Sequence, residues 1–171
     1  MEKNIVLIGM MGCGKTTVGK LLSNRLNMEL ADTDALIEAR AGRSIPELFS
    51  EKGEAYFRAL EYAAAEELGR RDGLVIACGG GLPLQDGAIA ALKRSGPVFW
   101  LRRDPGETYD GLDTSGRPLA QDGRTAFLER FARREPVYRR WADHTIAEKT
   151  PEDAAEAILK AVIDNPQSAF G

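Results

Sequence analysis

The stretch GMMGCGKT at residues 9–16 constrains the chain more than any other. It fits the pattern G-x-x-x-x-G-K-[ST], which has its chemical meaning only when a buried strand delivers it and a helix begins at its end. Both neighbours are legible. IVLIG (5–9) is an apolar run of strand length, and VGKLLSNRL (18–26) sets Val18, Leu21, Leu22 and Leu26 on one helical face. Glycines at 9, 12 and 14 let the backbone turn tightly enough for several N–H groups to converge on phosphate oxygens. The following helix adds the positive end of its dipole. Lys15 is placed to reach the outer phosphates, and the Thr16 hydroxyl to ligate Mg²⁺. The expected ligand is a nucleoside triphosphate, held by Gly12, Cys13, Gly14, Lys15, Thr16 and Thr17.

The rest of the chain alternates in the same manner. LVIAC (74–78) and PVFWL (97–101) read as buried strands, and MELAD (28–32) and HTIAE (144–148) as shorter ones. Helical patterns occupy 54–71, 86–96, 125–143 with Pro136 inside it, and 151–164 with a proline in the first turn. The segment 104–123 is rich in Gly, Asp, Pro and Thr and reads as a mobile loop. Alternating strands and helices predict an α/β fold with a parallel sheet covered on both faces. At 171 residues and 43% hydrophobic composition, the expectation is a single domain over 1–171.

A net charge of −3 gives no electrostatic reason for a nucleic-acid or anionic-membrane partner. Two cysteines, Cys13 and Cys78, are too few for a disulfide scaffold and fit a reducing cytoplasm. The N-terminal apolar run breaks at Gly12 and Lys15, too early for a secretory signal. No apolar run approaches the roughly 18 residues of a membrane span, so a soluble protein is expected; a cytoplasmic location and a monomeric state are further expectations.

What the chain lacks narrows its class. There is no N-K-x-D segment to read guanine and no LSGGQ signature, and the third strand ends ACGGG without the acid that commonly helps hold magnesium. The stretch LADTDALIE (30–38) supplies acids instead. Side chains at i and i+2 of a strand end point to one side, so Asp32 and Asp34 can both face the phosphate loop. One then holds the metal, while the other accepts a hydrogen bond from an acceptor hydroxyl and orients it for in-line attack. The alternative makes one of them the N-cap of helix ALIEARAG. Both roles are compatible in one residue.

D-T-D followed by IEARAGRSIPELF, GEAYFRALE (53–61), ACGGG (77–81), GRPL (116–119) and REPVY (134–138) occur in the order of one family. From about residue 4 to 163 the chain resembles the shikimate kinases, nucleoside-monophosphate-kinase-like P-loop enzymes. The resemblance implies a three-layer P-loop kinase fold with a five-stranded parallel sheet, a lid at about 108–123 and a substrate-binding helical insertion at about 33–61. It implies transfer of the ATP γ-phosphoryl group to the 3-hydroxyl of shikimate, with Mg²⁺ as cofactor and ATP and shikimate as the partners. Arg58 and Arg134 then resemble clamps on the acceptor carboxylate, with Glu61 orienting Arg58, and Gly79, Gly80 and Gly81 resemble backbone donors beside the ring. Lys15, Asp34 and Arg117 become the catalytic group, with Arg117 a lid arginine over the triphosphate; Thr16 and Asp32 become the metal site. A kinase of another polyol acid such as gluconate, or a regulatory nucleotide-binding module, are the competing readings. Tyr109 and Asp110 stand where the family commonly has a basic residue near adenine. His144, Trp100 and Trp141 are expected to be structural.

Overall fold

The computed structural model describes residues 3–112 and 123–164. Five strands, β1 (Ile5–Ile8), β2 (Glu29–Asp32), β3 (Leu74–Ala77), β4 (Val98–Leu101) and β5 (His144–Ile146), form one sheet in the order β2-β3-β1-β4-β5. Every pairing is parallel. The predicted α/β sheet is therefore present, with β1 at its centre and the D-T-D strand two places away across β3.

Parallel strands need crossovers, and helices supply them: α1 (Lys15–Leu26), α2 (Thr33–Ala41), α3 (Ile45–Lys52), α4 (Glu54–Leu68), α5 (Asp86–Ser95), α6 (Pro105–Asp110), α7 (Arg124–Trp141) and α8 (Pro151–Asp164). Alternation along β1 explains the two covered faces. Val6 and Ile8 turn into a core with Leu68, Ile89, Leu92, Phe127 and Tyr138, whereas Ile5 and Leu7 turn into one with Val18, Leu22, Ile158 and Val162. A third, smaller core of Ile37, Leu48, Phe57 and Ala64 holds the inserted helices α2, α3 and α4 together. Phe49 packs on Phe57 there, with ring centroids 5.0 Å apart.

Local signals explain the insertion. Asp32 caps α2, accepting from the Asp34 and Ala35 N–H groups, and α3 carries a capping box between Ser44 and Glu47 with a proline in its first turn. Part of the segment 104–123, expected to be a loop, is helical. Residues 105–110 form α6, because Asp104 accepts from Glu107 N at 2.8 Å and Pro105 opens the helix with φ already set. Tyr109 then anchors α6 on Phe127, centroids 5.4 Å apart, and Asp110 pairs with Arg124. Arg117 and most of the expected lid lie outside the described residues. Pro136 sits on the exposed side of α7, where Ala132 is exposed too, so water can satisfy the carbonyl its ring deprives of a partner. His144 stacks on Phe99 in the edge strand, centroids 4.9 Å apart. No helix among the described residues is long and apolar enough to cross a membrane.

Candidate active site

The strand order decides where the chemistry gathers. Because β1, β3 and β2 are parallel neighbours, the phosphate loop after β1, the glycines after β3 and the acids ending β2 all emerge at the carboxyl edge of the sheet. They line one cleft of about 550 Å³ together with residues of α3, α4 and α7.

At one end stands the phosphate loop. Gly14 caps α1 with φ of 95°, a left-handed conformation open to glycine at little cost, so the helix can start directly at Lys15. The Lys15 ammonium is buried and donates to the Gly9 and Met10 carbonyls at 2.7 and 2.8 Å. Gly12, Gly14, Lys15, Thr16 and Thr17 line the cleft. Cys13 does not: its side chain is buried in the core beneath the loop, so only its backbone is suited to a ligand.

The Thr16 hydroxyl donates to Asp32 Oδ2 at 2.7 Å, while Asp32 Oδ1 accepts the two N–H groups that cap α2. Asp32 is thus both the helix cap and the acid beside the phosphate loop. Two hard oxygen donors at this spacing suit a small divalent cation.

Asp34 faces the middle of the cleft. Burial, then the charges of Glu61 and Asp32, push its carboxyl up to about 7, and its Oδ1 has no hydrogen-bond partner among the described residues. Thr33, between the two acids, is fully buried and accepts from Gly79 N at 2.9 Å. That N–H is committed within the protein, so Gly79 is not the donor expected of it; its role is space, because a Cβ there would meet Asp34 and Glu61.

The far end is cationic. Arg58 Nη1 donates to Glu61 Oε1 at 2.5 Å and Nη2 to Glu54 at 3.2 Å, one turn away on each side of α4. Its guanidinium fills the place a Cβ on Gly81 would need. Arg134, on α7, is only 6% exposed, while neighbouring Arg133 is exposed, so Arg134 is the arginine turned inward. A Cβ on Gly80 would lie 3.4 Å from Arg134 Nη1, itself without a hydrogen-bond partner among the described residues. Burial lowers the Arg134 pKa and raises that of Glu61.

The shikimate kinase family model matches residues 11–164. The chain belongs to the shikimate kinase family. The shikimate kinase of Caldanaerobacter subterraneus subsp. tengcongensis is 42% identical over 166 residues, 94% of this chain and 96% of that protein. Among solved structures, the shikimate kinase from Acinetobacter baumannii in complex with shikimate has a TM-score of 0.89 at 36% identity, covering 95% of this chain and 94% of that one. The Aquifex aeolicus shikimate kinase follows at 0.83 and 36%, covering 95% and 98%. Glu61 pairs with Arg58 as expected, whereas two residues to which sequence reasoning gave no role, Thr33 and Tyr138, belong to the frame of the cleft. Burial of polar groups beside motif residues is their common mark. For Thr33 and Tyr138, no spacing rule exposes it.

Proposed function

We propose that the chain transfers the γ-phosphoryl group of ATP to the 3-hydroxyl of shikimate, giving ADP and shikimate 3-phosphate in the chorismate route to aromatic amino acids. The observation that carries this reading is one cleft with a phosphate loop at one end, inward-facing guanidinium groups at the other and an unpartnered carboxylate between them.

The loop backbone from Gly12 to Gly14, with Lys15, Thr16 and Thr17, holds the triphosphate. Thr16 and Asp32 are the residues to hold Mg²⁺, which neutralises charge on the phosphate oxygens when bound. Arg58 and Arg134 clamp the acceptor carboxylate through charge-assisted hydrogen bonds, and Glu61 keeps the Arg58 fork aimed. The glycines at 79–81 leave room for the ring to approach the backbone. Asp34 accepts a hydrogen bond from the acceptor hydroxyl, orients its oxygen toward the γ-phosphorus and takes the proton as the new O–P bond forms and the bridging bond to ADP breaks. Lys15 stabilises the charge that develops on the transferred group, with Arg117, outside the described residues, proposed for the same task.

Coupled ADP release measured with and without shikimate tests this, with the product identified by phosphorus NMR. ADP release that shikimate does not accelerate would refute it.

A further inference from the structure

We infer that Tyr138 is a positioning residue that aligns Arg134 and the Gly79–Gly81 turn for the acceptor and ties both to the phosphate loop. The inference rests on the reaction proposed above, and begins from a hydroxyl that the core does not need.

Tyr138 is fully buried, and its ring packs against Trp100 with centroids 6.0 Å apart. A phenylalanine would serve that packing equally well. A phenol hydroxyl in such a place is costly unless it is bonded, so its partners reveal what it is for. Tyr138 Oη donates to the Gly80 carbonyl at 2.6 Å and touches Met10 Sδ at 3.4 Å. The single phenol proton belongs to the shorter, better acceptor; the sulfur is a packing contact that reaches the phosphate loop. Met10 is the same residue whose carbonyl accepts from Lys15.

The same hydroxyl lies on the side of α7 that carries Arg134. The two residues lie one turn apart on α7, and the neighbouring phenol opposes the loss of charge that burial imposes on the Arg134 guanidinium. Arg134 and Tyr138 thus meet at Gly80: the phenol fixes its carbonyl, and Arg134 Nη1 stays available beside it. The bond to Gly80 has a second consequence. A peptide unit is planar and trans, so fixing the direction of the Gly80 carbonyl also fixes the Gly81 N–H, which points the opposite way. Burial raises the Tyr138 hydroxyl to about 12, so it remains a donor throughout the physiological range.

The test is Tyr138→Phe, assayed beside the unmutated protein and in a cycle with Arg134→Ala. The expected result is a rise in the shikimate KM on the order of tenfold with the ATP KM within about twofold. In the Arg134→Ala background the same change should cost markedly less, because the two residues act as a unit. A normal shikimate KM in Tyr138→Phe, equal rises in both KM values, or full additivity overturns the inference while leaving the proposed reaction intact. No shikimate turnover by the unmutated protein overturns both. If the variant unfolds, a crystal structure of the unmutated protein with shikimate decides. Tyr138 Oη within hydrogen-bonding distance of both Gly80 O and Arg134 supports the inference, and separation from either overturns it.

Discussion

Asp34 and Glu61 each turn one carboxylate oxygen toward the same point: a Cβ on Gly79 would lie 2.5 Å from Asp34 Oδ1 and 2.8 Å from Glu61 Oε2. Neither oxygen has a hydrogen-bond partner among the described residues. Two buried acids facing one small space repel each other, and that repulsion adds to burial in raising Asp34. Stability is thus given up where the proposed reaction would receive its acceptor hydroxyl.

Asp34→Asn should separate the two consequences. With the base removed, kcat is expected to fall about 10²- to 10⁴-fold while ATP affinity changes little. Thermal stability of the nucleotide-free protein should rise at pH 8, by on the order of 2 kcal/mol. The sign follows from a folded pKa of about 7 lying above the ordinary 3.8: ionisation costs folding energy as pH climbs between these values. Near pH 4 the folded carboxyl is protonated and the unfolded one close to half protonated, so the variant should lose most of its advantage. Melts at pH 4 and pH 8 check this, and an equal difference at both would contradict it.

Gly79→Ala places a methyl group at the point where both acids meet. Overpacking of this kind costs about 1–3 kcal/mol, and shikimate binding should be lost while ATP binding persists. Titration of intrinsic tryptophan fluorescence with each ligand separates the two; loss of ATP binding alone would count against this arrangement.

Thr33→Val keeps the branched shape and removes the hydroxyl that accepts from Gly79 N. The buried N–H left behind should cost about 1–3 kcal/mol and raise the shikimate KM. Denaturant melts and steady-state kinetics report each part, and a fully neutral substitution would remove Thr33 from the frame.

Arg58→Ala should raise the shikimate KM by roughly tenfold or more, the worth of a charge-assisted hydrogen bond, with a far smaller effect on the ATP KM. Glu61→Gln should act in the same direction but less strongly, because it loosens Arg58 without removing it. A larger effect on ATP than on shikimate from either change would mean that this end of the cleft holds the nucleotide.

Asp32→Asn isolates the metal role from the cap, since asparagine caps a helix about as well as aspartate. The melting temperature should hold, while the Mg²⁺ concentration for half-maximal activity rises on the order of tenfold. An unchanged Mg²⁺ titration would leave Asp32 as a cap alone.

Much of the fold was legible because its signals are local. Hydrophobic runs of strand length marked β1, β3 and β4, shorter mixed stretches marked β2 and β5, and the glycines and Lys15 of the phosphate loop sat between a strand and a helix as the motif requires. The helix over 105–110 was missed because loop-like composition masked a sound cap, Asp104 before Pro105, and because the Tyr109 contact with Phe127 that seats it joins separate segments. The donor role expected of Gly79 was also misjudged. Its N–H is taken by Thr33, 46 residues away in sequence, and no local pattern records such a partner.

By itself the sequence determined the alternation of elements, the phosphate loop, the acids after β2 and the residue types available for a carboxylate clamp. These follow from periodicity, backbone freedom and charge, which act between near neighbours along the chain. Only the tertiary structure decided that Arg134 rather than Arg133 turns inward, that Asp32 caps a helix while touching Thr16, and that Tyr138 meets Gly80 across 58 residues. Those choices depend on which parallel strands lie side by side and on which polar groups, once buried, find a partner.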